Sequence, residues 1–232
     1  MKSDFLRNEI DADISVRYRN LTLIKTLPSR YPDFRMEDKE CWVRCSFPII
    51  YAEWEGFFVS AFQLYLREIN KLGLKINELS KHYLLRETEC RYKQLKEYPK
   101  DMSKRHNFMQ NLMAYFRDDT PMVLKLDVNT ESNLGYGIMN GILNYFNLNI
   151  VEDHIDHDDY SLKNDMDKFM LNTRNGIAHG DPTVTASTED ITKAIALVER
   201  LMNVIFYYFT KIMNFTQLLP TENRKTPTLI IV

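Results

Sequence analysis

The feature that most constrains the fold is an apolar stripe close to the C-terminal end of the chain. Its members recur at alternating spacings of four and three residues, the repeat of a helix that packs along one seam. Ser187 and Asp190 precede the stripe with the spacing of a capping box, so the helix is predicted to begin there. A long partner helix is needed to cover such a seam, which predicts a helical bundle. The stripe consists of Ile191, Ile195, Val198, Met202, Ile205, Phe209 and Ile212.

A second apolar segment is a candidate for that core. Ser46 is predicted to cap a helix that has Pro48 in its first turn and ends at Gly73. Apolar side chains cover so much of its circumference that we expect this helix to be buried. They are Ile50, Trp54, Phe57, Phe58, Ala61, Tyr65, Ile69 and Leu72.

Periodic spacing predicts further helices along the rest of the chain. The first of them is expected to stop at Pro28, and Pro99 is expected to separate the next two. Because no pattern requires a sheet, the predicted fold class is all-α, an up-down antiparallel helical bundle with an inserted or appended helical segment. The additional helices are predicted at residues 4–27, 77–97, 103–117, 132–148 and 161–179, with 120–128 as an extended segment or short strand.

The chain is predicted to form a single domain over residues 1–232. Its seven glycines and eight scattered prolines mark no low-complexity linker. Within that domain we expect a helix and loop at 1–44, a main bundle at 45–215 with 81–128 as an insert, and a tail at 216–232.

Composition excludes several classes of protein. A formal net charge of -2 argues against a broad nucleic-acid coat, so any RNA contact must be local. Cys41, Cys45 and Cys90 fit neither a disulfide framework nor a four-cysteine zinc site, and are predicted to be buried free thiols in a reducing compartment. No signal peptide and no apolar run near ~20 residues is found, which predicts a cytoplasmic protein without a membrane span. No motif for a cofactor or a metal occurs, and none is expected.

The stretch "RNGIAHGD" gathers polar groups at the predicted end of a helix. Asn175 and His179 lie four residues apart on one helical face, and Arg174 lies about a quarter-turn away. Gly180 suits the left-handed position just past a helix end, and Pro182 blocks continuation. The negative end of the helix dipole there favours a protonated imidazole.

These residue types are suited to breaking an RNA phosphodiester without a metal. The ribose 2′-OH attacks the adjacent phosphorus, a histidine moves the proton, and an arginine stabilises charge on the phosphorane oxygens. Spacing alone is weak, since a surface arginine and a histidine at a helix C-terminus produce the same pattern. The full run of arginine, asparagine, small residues, histidine and glycine is what favours a site.

That run resembles the Arg-x4-6-His signature of the HEPN superfamily of helical nucleases, in which a polar residue commonly follows the arginine. A second stretch, "YAEWEGF" from Tyr51, resembles the Tyr-x-x-Trp-Glu-Gly-Phe helix of the bacterial MAE-type HEPN-like nucleases. "LGYGIMNGILNYFNL" also resembles the helix that precedes the signature in that subfamily. The resemblance covers roughly residues 45–215, with both motifs in order.

The resemblance implies a HEPN-like bundle that dimerises with its two signature helices facing each other, so that the active site is composite. Arg174 and His179 are carried over as the catalytic pair, with Asn175 as the accompanying polar residue. It further implies a metal-independent endoribonuclease that leaves 2′,3′-cyclic phosphate ends, of the kind found in toxin, abortive-infection and antiviral systems. A neighbouring antitoxin or defence-system protein would then be a partner. The alternative is a non-catalytic HEPN module that binds RNA, a nucleotide or a partner protein.

Three further groups of residues leave alternatives open. Glu55, in the "YAEWEGF" helix, either orients His179 or Arg174 as a supporting carboxylate or salt-bridges an arginine to close the bundle. Basic residues between 81 and 106 either track an RNA backbone or form a solvated helical face. His154, His157 and the aspartates of the acidic loop at 151–159 suggest metal ligands, but a solvated loop is favoured. The candidate RNA contacts are Lys81, Arg86, Arg91, Lys93, Lys104 and Arg105, while Tyr51, Trp54 and Phe57 are expected to be core residues.

Overall fold

The computed structural model describes residues 3–209 apart from 32, 34, 96, 118, 120 and 155–160. The described residues form helices and loops, and their only ladder-type contact is an isolated bridge between Lys75 and Pro121. The helices are α1 (Ser3–Arg30), α2 (Met36–Asn70), α3 (Lys81–Arg91), α4 (Met102–Arg117), α5 (Tyr136–Tyr145), a π-helical segment (Asn164–Leu171), α6 (Asn172–Ala178) and α7 (Thr188–Tyr207). Short 3-10 helices at Ile76–Glu78 and Lys93–Leu95 flank α3, so the helix predicted at 77–97 is divided into three pieces. The predicted all-α helical bundle is therefore confirmed.

The core lies where α1, α2 and α7 pack against one another. Ser60 donates to Asp13 at 2.5 Å and Asn20 donates to Glu53 at 2.9 Å, so α1 and α2 run antiparallel. The Tyr65 ring lies 5.3 Å from that of Phe209. Arg44, near the other end of α2, binds the segment just before α7, so α2 and α7 run in the same direction. The seam predicted in α7 is buried up to Phe209, and Ile212 lies outside the described residues.

The predicted start of α2 at Ser46 is wrong by about three helical turns. The helix begins at Met36, where the Asp38 carboxylate accepts a hydrogen bond from the backbone N–H of Arg35. Ser46 and Pro48 lie inside the helix, and Ser46 is buried. Val43, in the turns that precede Pro48, is buried in the core, and this burial outweighs the hydrogen bond that the proline removes. Likewise, Pro28 does not end α1, which continues to Arg30, because a proline lacks only its own N–H donor and the residues after it keep theirs.

The prediction of buried cysteines is also wrong. Cys41 and Cys45 are exposed and Cys90 is half-buried, although all three are free thiols as expected. The extension of α2 explains the first two. Its inner face is formed by residues such as Val43 and Phe47, which turns Cys41 and Cys45 toward solvent.

Side-chain contacts and the one isolated bridge, rather than a sheet, hold the extended segment at 121–128. The Asn70 amide accepts from the Leu124 N–H at 2.7 Å and donates to the Leu124 carbonyl at 2.9 Å. The buried Glu87 carboxylate accepts from the Lys125 N–H at 2.9 Å. The segment is therefore extended without joining a sheet, in agreement with the first of the two predicted alternatives.

Among the helices of the described residues, none combines the length and the apolarity that crossing a bilayer requires.

The stability of the protein is expected to fall in alkaline solution. Burial raises the pKa of Tyr51 and of Tyr115 to about 12, and burial likewise raises that of Tyr208. A raised pKa means that the folded state keeps a proton that the unfolded chain loses near 10. Stability from these groups is thus complete below pH 10 and is lost as the pH rises through 12.

Denaturant unfolding at increasing pH would measure this loss. Tyr208→Phe is expected to flatten the alkaline decline, and the exposed Tyr31→Phe is the matched control. A free energy of unfolding that stays constant above pH 10 would contradict the assignment.

Candidate active site

The helix that carries the signature ends as its sequence predicts. The Gly180 N–H donates to the Ile177 carbonyl at 3.0 Å, and the Asp181 N–H donates to the Gly176 carbonyl at 2.9 Å. Gly180 has φ of +74°, the left-handed conformation that glycine adopts without strain. This pair of bonds is a Schellman motif, and it places His179 at the C-cap.

The Arg174 guanidinium is held over an aromatic ring rather than by an acid. Its Cζ lies 4.2 Å from the centre of the Tyr51 ring, and Nη1 donates to the Asn175 Oδ1 at 2.6 Å. Arg174 is half-buried, and within the described part of the chain no carboxylate forms an ion pair with it. A half-buried arginine fork that forms no ion pair with a described carboxylate is suited to bind an anion such as a phosphate.

A loop that precedes α5 completes the polar cluster. The Asn175 side chain donates to the Asn133 Oδ1 at 3.2 Å. Leu134, the residue after Asn133, positions the loop. The Leu134 N–H donates to the Tyr51 hydroxyl, and the Leu134 carbonyl accepts from the Trp54 indole at 3.3 Å. Buried side chains of α2 therefore fix both Arg174 and the loop that contacts its neighbour.

Glu55 contacts this support rather than the signature side chains. Its carboxylate accepts from the Thr130 hydroxyl at 2.5 Å and lies beside the Tyr51 phenol. Burial, and then the negative charge of Glu55, raise the pKa of Tyr51 to about 12, so this hydroxyl stays protonated. No arginine forms an ion pair with Glu55 in the described residues. Glu55 thus reaches Arg174 only through Tyr51.

His179 presents its ring to solvent. The residue is exposed, and within the described residues its imidazole makes neither a hydrogen bond nor an ion pair. Its backbone N–H donates to the Asn175 carbonyl at 2.9 Å, while the side chain of Asn175 accepts from Arg174. Asn175 therefore links the two predicted catalytic residues, and the imidazole is free to exchange a proton with a bound molecule.

Arg44 holds the loop that follows the signature. Its Nη1 donates to the Val184 carbonyl at 3.0 Å and its Nη2 to the Asp181 carbonyl at 3.1 Å. A Cβ on Gly176 would lie 2.4 Å from Cγ2 of Val184, so the glycine in the motif permits this close packing. Sequence reasoning missed Arg44 because its partner is backbone far away in the chain.

Gly135 has a similar role at the start of α5. The Asp167 Oδ1 accepts from the Tyr136 N–H at 2.8 Å, and a Cβ on Gly135 would lie 2.4 Å from that oxygen. The Asp167 carboxylate therefore caps α5 from the π-helical segment. This contact joins the helix before the signature to the helix that carries it.

Comparison with known proteins now decides the family. The family model described as RiboL-PSP-HEPN matches residues 13–211, which include α2, the loop and the signature helix. The chain belongs to this HEPN family. The match confirms the resemblance to the HEPN superfamily, and the narrower MAE-type assignment stays a prediction. Searches of curated proteins and of solved structures returned no match.

The basic segment of this HEPN protein divides into structural and exposed residues. Arg86 is 2 % exposed, donates to the carbonyls of Lys125 and Asp127, and lies over the Phe146 ring. Its side chain stabilises the fold. Arg91 pairs with Glu87, and Arg105 donates to the Pro99 carbonyl at 2.6 Å. The exposed members, whose side chains pair with none of the described residues, are Lys81, Lys93 and Lys104.

The acidic loop of the HEPN chain falls partly outside the described residues, and His157 is among those not described. His154 lies 3.9 Å from the Asp153 carboxylate. Among the described residues no group of three or more histidine, cysteine, aspartate or glutamate side chains is arranged to hold a metal ion.

Proposed function

We propose that this HEPN protein is an endoribonuclease whose active site contains Arg174, Asn175 and His179. The observation that carries the proposal is the half-buried Arg174 guanidinium, which has no acidic partner in the described residues and lies beside Asn175 on the ring of Tyr51. One turn farther along, His179 exposes a free imidazole. An anion-binding fork and a proton carrier five residues apart at one helix end fit a phosphodiester substrate.

The proposed reaction breaks one bond for each that it forms. The ribose 2′-oxygen bonds to the adjacent phosphorus, and its proton passes to an imidazole. The bond from phosphorus to the 5′-oxygen then breaks, and that oxygen takes up a proton, leaving a 2′,3′-cyclic phosphate. Arg174 stabilises the negative charge that develops on the phosphorane oxygens. No metal is needed for these steps.

Two chains would supply a complete set of groups. The reaction removes a proton at one oxygen and delivers a proton at another, which a single imidazole performs only in succession. A homodimer that brings two signature helices together, as the resemblance implies, offers one imidazole as base and a second as acid. The exposed side chains of Lys81, Lys93 and Lys104 are proposed to contact the RNA backbone.

The biological setting proposed for this activity is that of a toxin or an antiviral, abortive-infection effector. It follows from the HEPN resemblance, and it makes an antitoxin or a defence-system protein the expected partner in addition to RNA.

Cleavage of mixed cellular RNA by the purified protein in EDTA tests the proposal. We expect cutting that persists in the chelator and leaves cyclic phosphate ends. Such ends lack a free 3′-hydroxyl, so an adapter cannot be ligated to them until the phosphate is removed. Cutting that disappears in EDTA and returns with magnesium would contradict the proposed chemistry.

A second candidate function is supported by the same arginine. The Arg174 guanidinium over the Tyr51 ring is suited to hold a phosphate without any turnover. The alternative is therefore a non-catalytic module that binds RNA, a nucleotide or a partner protein. Phosphate-dependent binding that is lost in Arg174→Ala, with no product formed by the parent protein, would favour it.

A further inference from the structure

Helix α1 carries a second apolar stripe that stays largely exposed, and the contact over it is that of the Lys71 ammonium, 4.6 Å from the centre of the Phe5 ring. Its inner face buries Leu6, Ile10, Ile14 and Leu21 in the core. On another face, Phe5, Val16 and Leu23 are 46 %, 50 % and 44 % exposed, and Ala12 is exposed in line with them. At ~100° per residue these four positions fall within about 40° of one another. We call this surface, Phe5 to Leu23, the outer seam.

The outer seam follows a heptad register. Phe5, Ala12 and the exposed Arg19 are seven residues apart, and so are the exposed Glu9, Val16 and Leu23. The two sets alternate at spacings of four and three, the pattern of a two-helix seam. Glu9 and Arg19 occupy the two remaining seam positions, and neither side chain pairs with a described residue.

The charges and sizes of the side chains along the outer seam are complementary to those of a second, antiparallel copy of the same seam. In an antiparallel pair centred on Ile14, a residue of one helix faces the residue of the other helix that lies equally far on the opposite side of position 14. Phe5 then faces Leu23, and Glu9 faces Arg19. At the centre, small Ala12 faces Val16, which allows the helices to approach closely. A two-fold axis repeats each of these pairs, so two Glu9–Arg19 ion pairs would flank the apolar centre.

We infer that a second copy of this chain docks on the outer seam, with the two α1 helices antiparallel about a two-fold axis. The contact is separate from the proposed active site. On α2, the residues that face α1 are Glu53 and Ser60, whereas Tyr51 faces Arg174, so α2 lies between the outer seam and the signature helix. The proposed endoribonuclease activity does not depend on this inference, nor the inference on it.

Sedimentation velocity over a wide concentration range tests the docking. The parent protein is expected to self-associate, and Val16→Asp is expected to halve the mass of the assembly by placing two like charges at its apolar centre. Thr22→Asp is the matched control, since Thr22 is exposed on the same helix away from the outer seam. Circular dichroism verifies that both variants stay folded. A parent that is monomeric throughout, or a mass that Val16→Asp leaves unchanged, would overturn the inference.

A charge reversal tests the register itself. Arg19→Glu places a second carboxylate opposite Glu9 of the facing helix and is expected to weaken association at low salt, and Glu9→Arg alone is expected to do the same. Combining Glu9→Arg with Arg19→Glu regenerates both ion pairs with their signs exchanged and is expected to restore the parent mass. Failure of the double variant to restore it would overturn the antiparallel pairing, because a different partner or register would not be repaired by the exchange.

Discussion

Replacing His179 with alanine is expected to lower RNA cleavage by about 100- to 10,000-fold, the range that a positioned acid–base group contributes. The fold should survive, because the side chain makes no hydrogen bond in the described residues and the helix is capped by backbone contacts that alanine retains. Initial cleavage rates of a labelled RNA, measured beside circular dichroism spectra, check both parts. His106→Ala, which removes an exposed histidine from α4, is the matched control.

Arg174 is expected to have an effect of similar size through a different interaction. Arg174→Ala removes charge stabilisation of the transition state, which is worth about 100- to 1,000-fold for one preorganised donor. Arg174→Lys keeps the positive charge but loses the paired donors of the guanidinium, so it is expected to retain intermediate activity. Rates equal to those of the parent in both His179→Ala and Arg174→Ala would show that the chemistry lies elsewhere.

The largest effect on stability is expected at Trp54. Its side chain is 0 % exposed, its ring lies 5.5 Å from that of Phe58, and its indole donates to the Leu134 carbonyl. Trp54→Ala leaves a cavity and an unpaired buried carbonyl and is expected to cost about 3–5 kcal/mol. For a chain of this length the melting temperature should fall by roughly 6–20 °C. Calorimetry or denaturant unfolding measures the loss.

Two variants separate packing from hydrogen bonding at this position. Trp54→Phe keeps most of the ring but leaves the Leu134 carbonyl without its donor, which is expected to cost about 1–3 kcal/mol. Ile49→Ala, at an exposed position of the same helix, should change stability by no more than about 0.5 kcal/mol. A Trp54→Ala variant as stable as Ile49→Ala would mean that α2 is not the central helix.

The local sequence pattern was sufficient to predict those features whose residues all lie within or next to one helix. The capping box at Ser187 and the seam of α7 are both present, with the Asp190 N–H donating to the Ser187 hydroxyl at 3.1 Å. Gly180 adopts the left-handed conformation expected past a helix end. Each of these features depends on residues a few positions apart, so spacing alone is informative.

Local pattern failed where distant packing decides between alternatives. Ser46 and Pro48 resemble a helix start, yet Val43 and Phe47 contact the core, and their burial keeps the turns between 36 and 46 helical. Arg86 belongs to a segment whose composition is that of a solvated basic face, but its guanidinium is buried against backbone carbonyls from another segment. The cost of burying a charge is offset only by partners that the neighbouring sequence does not reveal.

The sequence by itself determined an all-α bundle and the grouping of Arg174, Asn175 and His179 at one helix end, because both follow from periodicity and from the conformation that glycine permits. Only the tertiary structure decided that Tyr51 lies under Arg174 and that Asn133 contacts Asn175. It also decided that Glu55 reaches the site through Tyr51. These pairs are far apart in the chain, and they meet because the apolar faces of separate helices must be buried against one another.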